Sequence, residues 1–201
     1  MLSTTTLNIN VDAKKSLNKE RKSLMVSKPK VYISIDCEVD GPAPPFKGSM
    51  FWFGAVLIDT KLDTTFSGQM SPVSSYYEVK RLKISELTRA ETRTFRKPEI
   101  VMPLFVEWVH KVSAGKEPRF ISDNTGFDFG LMNYYLWKYT NNNPFGHSSL
   151  NIKQLYCGLE GDIRSSFKHL VITPHTHNPV DDAKGNAQAF IAMTPRLKIV
   201  I

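Results

Sequence analysis

Residues 31–38 read Val31-Tyr32-Ile33-Ser34-Ile35-Asp36-Cys37-Glu38. The first five are β-branched or aromatic apart from Ser34, a strand composition, and the run ends on two carboxylates two positions apart. Side chains at that spacing share one face of an extended chain, so Asp36 and Glu38 point together and Cys37 points the other way. Neighbouring carboxylates repel unless a positive charge lies between them, and a hard divalent cation fills that role. A solvated strand end is the plainer reading of the same residues, and Cys37 reads most simply as a small buried side chain.

Downstream of this strand, residues 40–48 contain Pro42, Pro44 and Pro45 with Gly41 and Gly48, so they form neither helix nor central strand. The apolar run 50–58 suits a strand buried on both faces. A turn at 59–63 and a third strand over 64–70 complete an antiparallel meander. Pro98 then opens a helix in which Ile100, Val101, Leu104, Phe105, Trp108, Val109 and Val112 recur at helical spacing, with Gly115 as its stop. Residues 119–122 form a fourth strand and 127–139 a helix carrying Leu131, Tyr134, Tyr135 and Trp137. A short strand leads into a helix over 150–156, and a last helix covers 181–193. The pattern predicts an α/β fold with a mixed five-stranded sheet flanked by helices.

Upstream, residues 1–30 are rich in Ser, Thr, Asn and Lys and have no aromatic side chain. Lys14, Lys15, Lys19, Arg21, Lys22, Lys28 and Lys30 stand there against Asp12 and Glu20, which accounts for most of the net charge of +7. Such a segment buries too little apolar surface to offset its ordering entropy, which predicts a flexible basic tail over 1–30 and one folded domain over 31–201. A mobile basic arm can speed encounter with a polyanion, or it can be only a solvated extension. Met25 offers an alternative start. No apolar run approaches a membrane span, there is no apolar signal segment, and two cysteines are too few for a disulfide framework. These features predict a soluble, cytoplasmic protein with no membrane partner.

Two more stretches carry chemistry. In Asn124-Thr125-Gly126-Phe127-Asp128, Asp128 falls at the start of a helix, where a carboxylate is also favoured simply as a capping charge. In His175-Thr176-His177-Asn178-Pro179-Val180-Asp181-Asp182, the two prolines hold the histidines in a loop that feeds the last helix. Ala183, Ala187, Phe190 and Ile191 form the apolar stripe of that helix. Asp182 lies about 100° from the stripe's edge and Asp181 about 200°, so Asp182 reaches inward while Asp181 faces solvent. His177 can overhang the same spot. His175 and His177 also read as half of a zinc site, which no other well-placed His or Cys completes.

Taken together, Asp36-x-Glu38, Asn124-x2-Phe127-Asp128 and His177-x4-Asp182 resemble, in order and spacing, the motifs of the DEDD-type 3′–5′ exonucleases, in their histidine-containing subclass. The resemblance covers about residues 31–193. It implies a ribonuclease H-like fold and hydrolysis of phosphodiester bonds from the 3′ end of single-stranded RNA or DNA, with release of nucleoside 5′-monophosphates. It implies further that Asp36, Glu38, Asp128 and Asp182 hold two Mg²⁺ or Mn²⁺ ions and that His177 is the general base. A homodimer is plausible, since some relatives pair. Other readings are an enzyme for very short oligonucleotides, a non-catalytic nucleic-acid-binding module on the same scaffold, and a zinc-binding regulator built on His175 and His177.

Two stretches depart from the family. Asn151-Ile152-Lys153 stands where Asp-Ile-Lys is expected, and Asp40-Gly41 replaces the Thr-Gly that often follows Asp-x-Glu. Phe46, Phe51, Trp52 and Phe127 are candidates to stack a terminal base, and Lys47, Arg164 and Lys168 to hold phosphates. The plainer reading of each is a core aromatic or a solvated charge.

Overall fold

The computed structural model describes residues 28–197 and residue 199; residues 1–27, which hold most of the basic tail and Met25, lie outside that range. Five strands form one sheet in the order β3-β2-β1-β4-β5. They are β1 (Lys30–Val39), β2 (Met50–Leu57), β3 (Thr65–Gln69), β4 (Glu117–Ser122) and β5 (Ser149–Asn151). The first three are antiparallel, whereas β4 runs parallel to β1 and β5 parallel to β4. The meander and the α/β class follow the sequence expectation. β1 runs further than its apolar composition indicates, so Asp36, Cys37 and Glu38 lie inside it.

Alternation along β1 divides the molecule. Ile33, Ile35, Cys37 and Val39 face a core built with α3 (Pro98–Ser113) and α4 (Thr125–Thr140). Tyr32 faces a second core built with α5 (Ile152–Glu160) and α6 (Pro179–Met193). Asp36 and Glu38 share the face of Tyr32, at the end of the strand, and α6 lies across β1 and β2 on that side. The approach is close because Gly54, which pairs with Asp36, has no side chain. A Cβ at Gly54 would stand 2.3 Å from the backbone of Pro179 and Val180.

Helix starts differ from the expectation in a consistent direction. α4 begins at Thr125 after Asn124, and α6 begins at Pro179 after Asn178, whose side chain accepts a hydrogen bond from the Val180 N–H. Pro179 is therefore a first-turn proline that starts the helix rather than one that keeps the chain irregular. The apolar stripes also run wider than the buried ones. Val101, Met102, Phe105 and Val109 are buried on α3, while Ile100, Leu104 and, on α4, Trp137 are exposed.

Two short helices, α1 (Val79–Ile84) and α2 (Arg89–Arg93), had no counterpart in the periodicity. Each is too short for a helical period, although α2 carries a readable capping box of Thr88 and Glu91. A buried ion pair of Arg89 with Asp40 ties α2 to the chain just beyond β1. Asp40 also accepts from the Ser49 N–H, and Arg89 from α2 reaches the Ser74 carbonyl and covers the Tyr77 ring. The Asp40-Gly41 departure is thus a structural clamp. Asn151 likewise has a local task, since its side chain accepts from the Gln154 N–H and caps α5.

Candidate active site

Parallel pairing of β1 and β4 brings the ends of both strands to one side of the sheet, and the N-termini of α4 and α6 to the same place. The structure gathers Asp36, Glu38, Asp128 and Asp182 there. Carboxylate oxygens of Asp36, Glu38 and Asp182 lie within 4.8 Å of one another, and so do those of Asp36, Asp123 and Asp128. Asp36 belongs to both groups, so the acids form two corners with one shared member.

Local sequence explains each placement. Asp128 is buried in the first turn of α4, yet it caps nothing: it turns toward Asp36, with the Cys37 thiol donating to its carbonyl. Asp182 is buried, whereas the half-buried Asp181 accepts from the Thr176 hydroxyl. The division between inward Asp182 and outward Asp181 follows the helical geometry. Thr176 N–H donates to Asp182 Oδ1 at 3.1 Å, which locks the histidine loop to the helix. Among the described residues, Asp182 Oδ2 is buried and accepts no hydrogen bond.

His177 has a left-handed backbone, φ 59°, a conformation that non-glycine residues rarely take. Its Nδ1 stands 3.9 Å from Glu38 Oε1, and His175 Nδ1 stands 2.9 Å from Asp182 Oδ2. Both imidazoles therefore overhang the acids.

The acids raise one another's pKa. Burial pushes Glu38 up to about 7, with Asp182 adding repulsion and Ser85 and His175 opposing it. Burial and then Asp123 push Asp128 to about 8, against the pull of the nearby Ser122 hydroxyl and Cys37 backbone. Asp36 is held well above the carboxylate range by burial, then by Asp128, Glu38, Asp182 and Asp123. Concentrated, desolvated negative charge of this kind marks a place built for a cation.

Asp123 was absent from the sequence reading. A carboxylate directly beyond the parallel neighbour of β1 occupies the same kind of position as Asp36, a signal that appears once the β1–β4 pairing is known. Ser85, at the end of α1, came from a segment without periodicity.

The proposed substrate contacts are scattered. Phe51 is fully buried, so it cannot stack a base; it is core because it lies on a strand covered on both faces. Trp52 is half-buried, its indole N–H donating to Ser67. Phe46 is 86% exposed and, with the half-buried Phe127, lines a cavity of 330 Å³ between the proline-rich loop and α4. Arg164 is paired with Asp162. Lys47 is exposed, and Lys168 lines a cavity of 410 Å³ with Asp36, Asp123, His175 and Asp182.

No family model matches the chain. The chain is 30% identical over 169 residues to the 3′-5′ DNA exonuclease Cap18 of Escherichia coli, an alignment covering 80% of this chain and 89% of that protein. The chain belongs to the DEDD family of 3′–5′ exonucleases. Its fold matches that of solved family members at low identity. A full-length 3′-exonuclease superposes with a TM-score of 0.68 at 16% identity, over 85% of this chain and 84% of the other. Exonuclease X, in complex with 5′ overhanging duplex DNA, gives 0.59 at 17% identity over 84% and 94%. This DEDD exonuclease has the ribonuclease H-like fold of its relatives, and as an enzyme it acts on nucleic acid. Among the described residues, no helix is long and apolar enough to cross a membrane.

Proposed function

We propose that the chain removes nucleotides one at a time from the 3′ end of single-stranded DNA or RNA, with Asp36, Glu38, Asp128 and Asp182 holding two divalent ions, Mg²⁺ or Mn²⁺. The observation that carries this reading is the sharing of Asp36 between two carboxylate corners. All the donors are hard oxygens, which suits these ions, and among the described residues the buried Asp182 Oδ2 accepts no hydrogen bond that would compete with a cation. When bound, such ions acidify a water and offset charge on the departing oxygen.

The residues of the chain supply the rest. His177, over Glu38 and partly exposed, accepts the proton of the attacking water as general base. Asp123 adds a fifth carboxylate on the Asp128 side. The cavity between Phe46 and Phe127 is suited to hold a terminal base by stacking, which gives affinity without strong sequence preference. Lys168 lies where it can meet a phosphate beside the acids. Attack at the terminal phosphorus leaves a new 3′-hydroxyl on the shortened strand and releases a nucleoside 5′-monophosphate.

The test is a gel assay on 5′-labelled single-stranded DNA and RNA with Mg²⁺, Mn²⁺ or a chelator. A ladder shortening from the 3′ end, lost with chelator and in Asp182→Asn, is expected. Internal cuts, shortening from the 5′ end, or full activity in chelator would contradict the reading. A series of lengths from dinucleotides upward separates a general exonuclease from one restricted to very short oligonucleotides.

A further inference from the structure

The loop before α6 carries two imidazoles, and the hydrolytic reading uses only His177. One ring nitrogen each from His175 and His177 and a carboxylate oxygen of Asp182 lie within 4.8 Å of one another. The rings meet edge to face, their centroids 4.2 Å apart. His175 Nδ1 stands 2.9 Å from Asp182 Oδ2, yet no hydrogen bond of acceptable geometry joins them. That oxygen is buried on a side chain only 4% exposed, while His175 is 67% exposed. A buried acceptor with no well-aligned donor among the described residues, faced by two imidazoles, is the layout of a ligand set with an open route from solvent.

We propose that His175, His177 and Asp182 form a zinc site whose occupation switches the nuclease off. Two imidazoles and one carboxylate are a borderline-soft donor set, which favours Zn²⁺ over Mg²⁺, with water as the fourth ligand of a tetrahedron. With bonds of about 2.1 Å the donors of a tetrahedral ion stand about 3.4 Å apart. The three donors lie within 4.8 Å of one another, near enough to close on that spacing by rotation of the exposed rings. Asp182 supplies the half of the site that the sequence did not reveal, because no further His or Cys was needed. The inhibitory consequence rests on the proposed function. Zinc here takes Asp182 away from the Asp36–Glu38 corner and occupies the lone pair with which His177 accepts a proton. Because the carboxylate is shared, raising Mg²⁺ raises the zinc concentration needed to inhibit.

The experiment compares the full chain with its His175→Ala variant, which removes a zinc ligand and none of the groups assigned to hydrolysis. Initial rates on labelled single-stranded DNA in Mg²⁺ are read against buffered Zn²⁺, and Zn²⁺ affinity is read by calorimetry in the same Mg²⁺ buffer. Micromolar or tighter zinc inhibits the wild type. His175→Ala keeps its Mg²⁺ rate, and its half-inhibitory zinc concentration and its zinc dissociation constant both rise at least about tenfold. A wild type indifferent to zinc, or equal zinc affinity in the two proteins, overturns the proposal. Should His175→Ala lose its Mg²⁺ rate, calorimetry on the folded variant still decides. A protein without nuclease activity that binds zinc through His175 would overturn the hydrolytic reading alone.

Discussion

Glu38 and Asp128 titrate near 7 and near 8 in the fold, against ordinary values of 4.5 and 3.8. Between those limits the unfolded chain has released protons that the fold retains, so the ion-free protein loses stability as pH rises from about 4 to 8 and levels off above. On the proposed function divalent ions bind the ionised acids, which should reverse the trend. Thermal melts of chelator-treated protein should show a midpoint several degrees lower at pH 8 than at pH 5, and Mn²⁺ should restore more at pH 8. Asp128→Asn should flatten the ion-free slope. A midpoint that rises from pH 5 to pH 8 without ions would contradict the burial argument. In the proposed reaction His177 acts differently, through a proton rather than through charge density. His177→Ala should lower turnover about 10²- to 10⁴-fold while Mn²⁺ affinity, read by calorimetry, stays near that of the wild type. A loss of Mn²⁺ affinity equal to the loss of rate would make His177 a ligand instead.

Elements hold these side chains through contacts that are stiff because they are backbone contacts. Gly54 lets β2 touch the first turn of α6, and the missing methyl sets how near Asp182 comes to Asp36. Gly54→Ala places a Cβ where backbone already stands, so something must shift, at a cost of about 1–3 kcal/mol. The expected result is a lower melting midpoint with weakened Mn²⁺ binding and lost hydrolysis. Unchanged Mn²⁺ affinity in a destabilised Gly54→Ala protein would show that α6 can yield without moving Asp182. On the other side of the acids, the Arg89–Asp40 pair ties α2 to the chain just beyond β1, near the Ser85 that favours the ionised form of Glu38. Removing one partner, as in Arg89→Met, leaves a buried charge uncompensated and should cost about 3–5 kcal/mol by denaturant unfolding. Little change would mean that Asp40 is neutral in the fold. β1, β2, α3 and α6 were legible because each is long enough to show a period or a cap. Residues 71–97 carry only the capping box of Thr88 and Glu91 as a signal, since α1 and α2 are too short for a period and are held by Arg89, Glu78 and Asp40 rather than by an apolar stripe.

At the scale of the molecule, five acids from distant parts of the chain meet because β1 and β4 run parallel and end on the same side, where α4 and α6 begin. The motifs located four of them in the sequence without any distance between them. The pairing of β1 with β4 and the closeness of α6 to β2 supply those distances. Asp123 escaped notice because it belongs to no motif and is recognisable only once β4 is known to neighbour β1. The same convergence makes the ion reading directly measurable. Crystals grown with Mn²⁺ and a nucleoside 5′-monophosphate should show two anomalous peaks about 4 Å apart, both touching Asp36, one toward Glu38 and Asp182 and the other toward Asp128. A single peak, or peaks that leave Asp36 uncoordinated, would contradict the account.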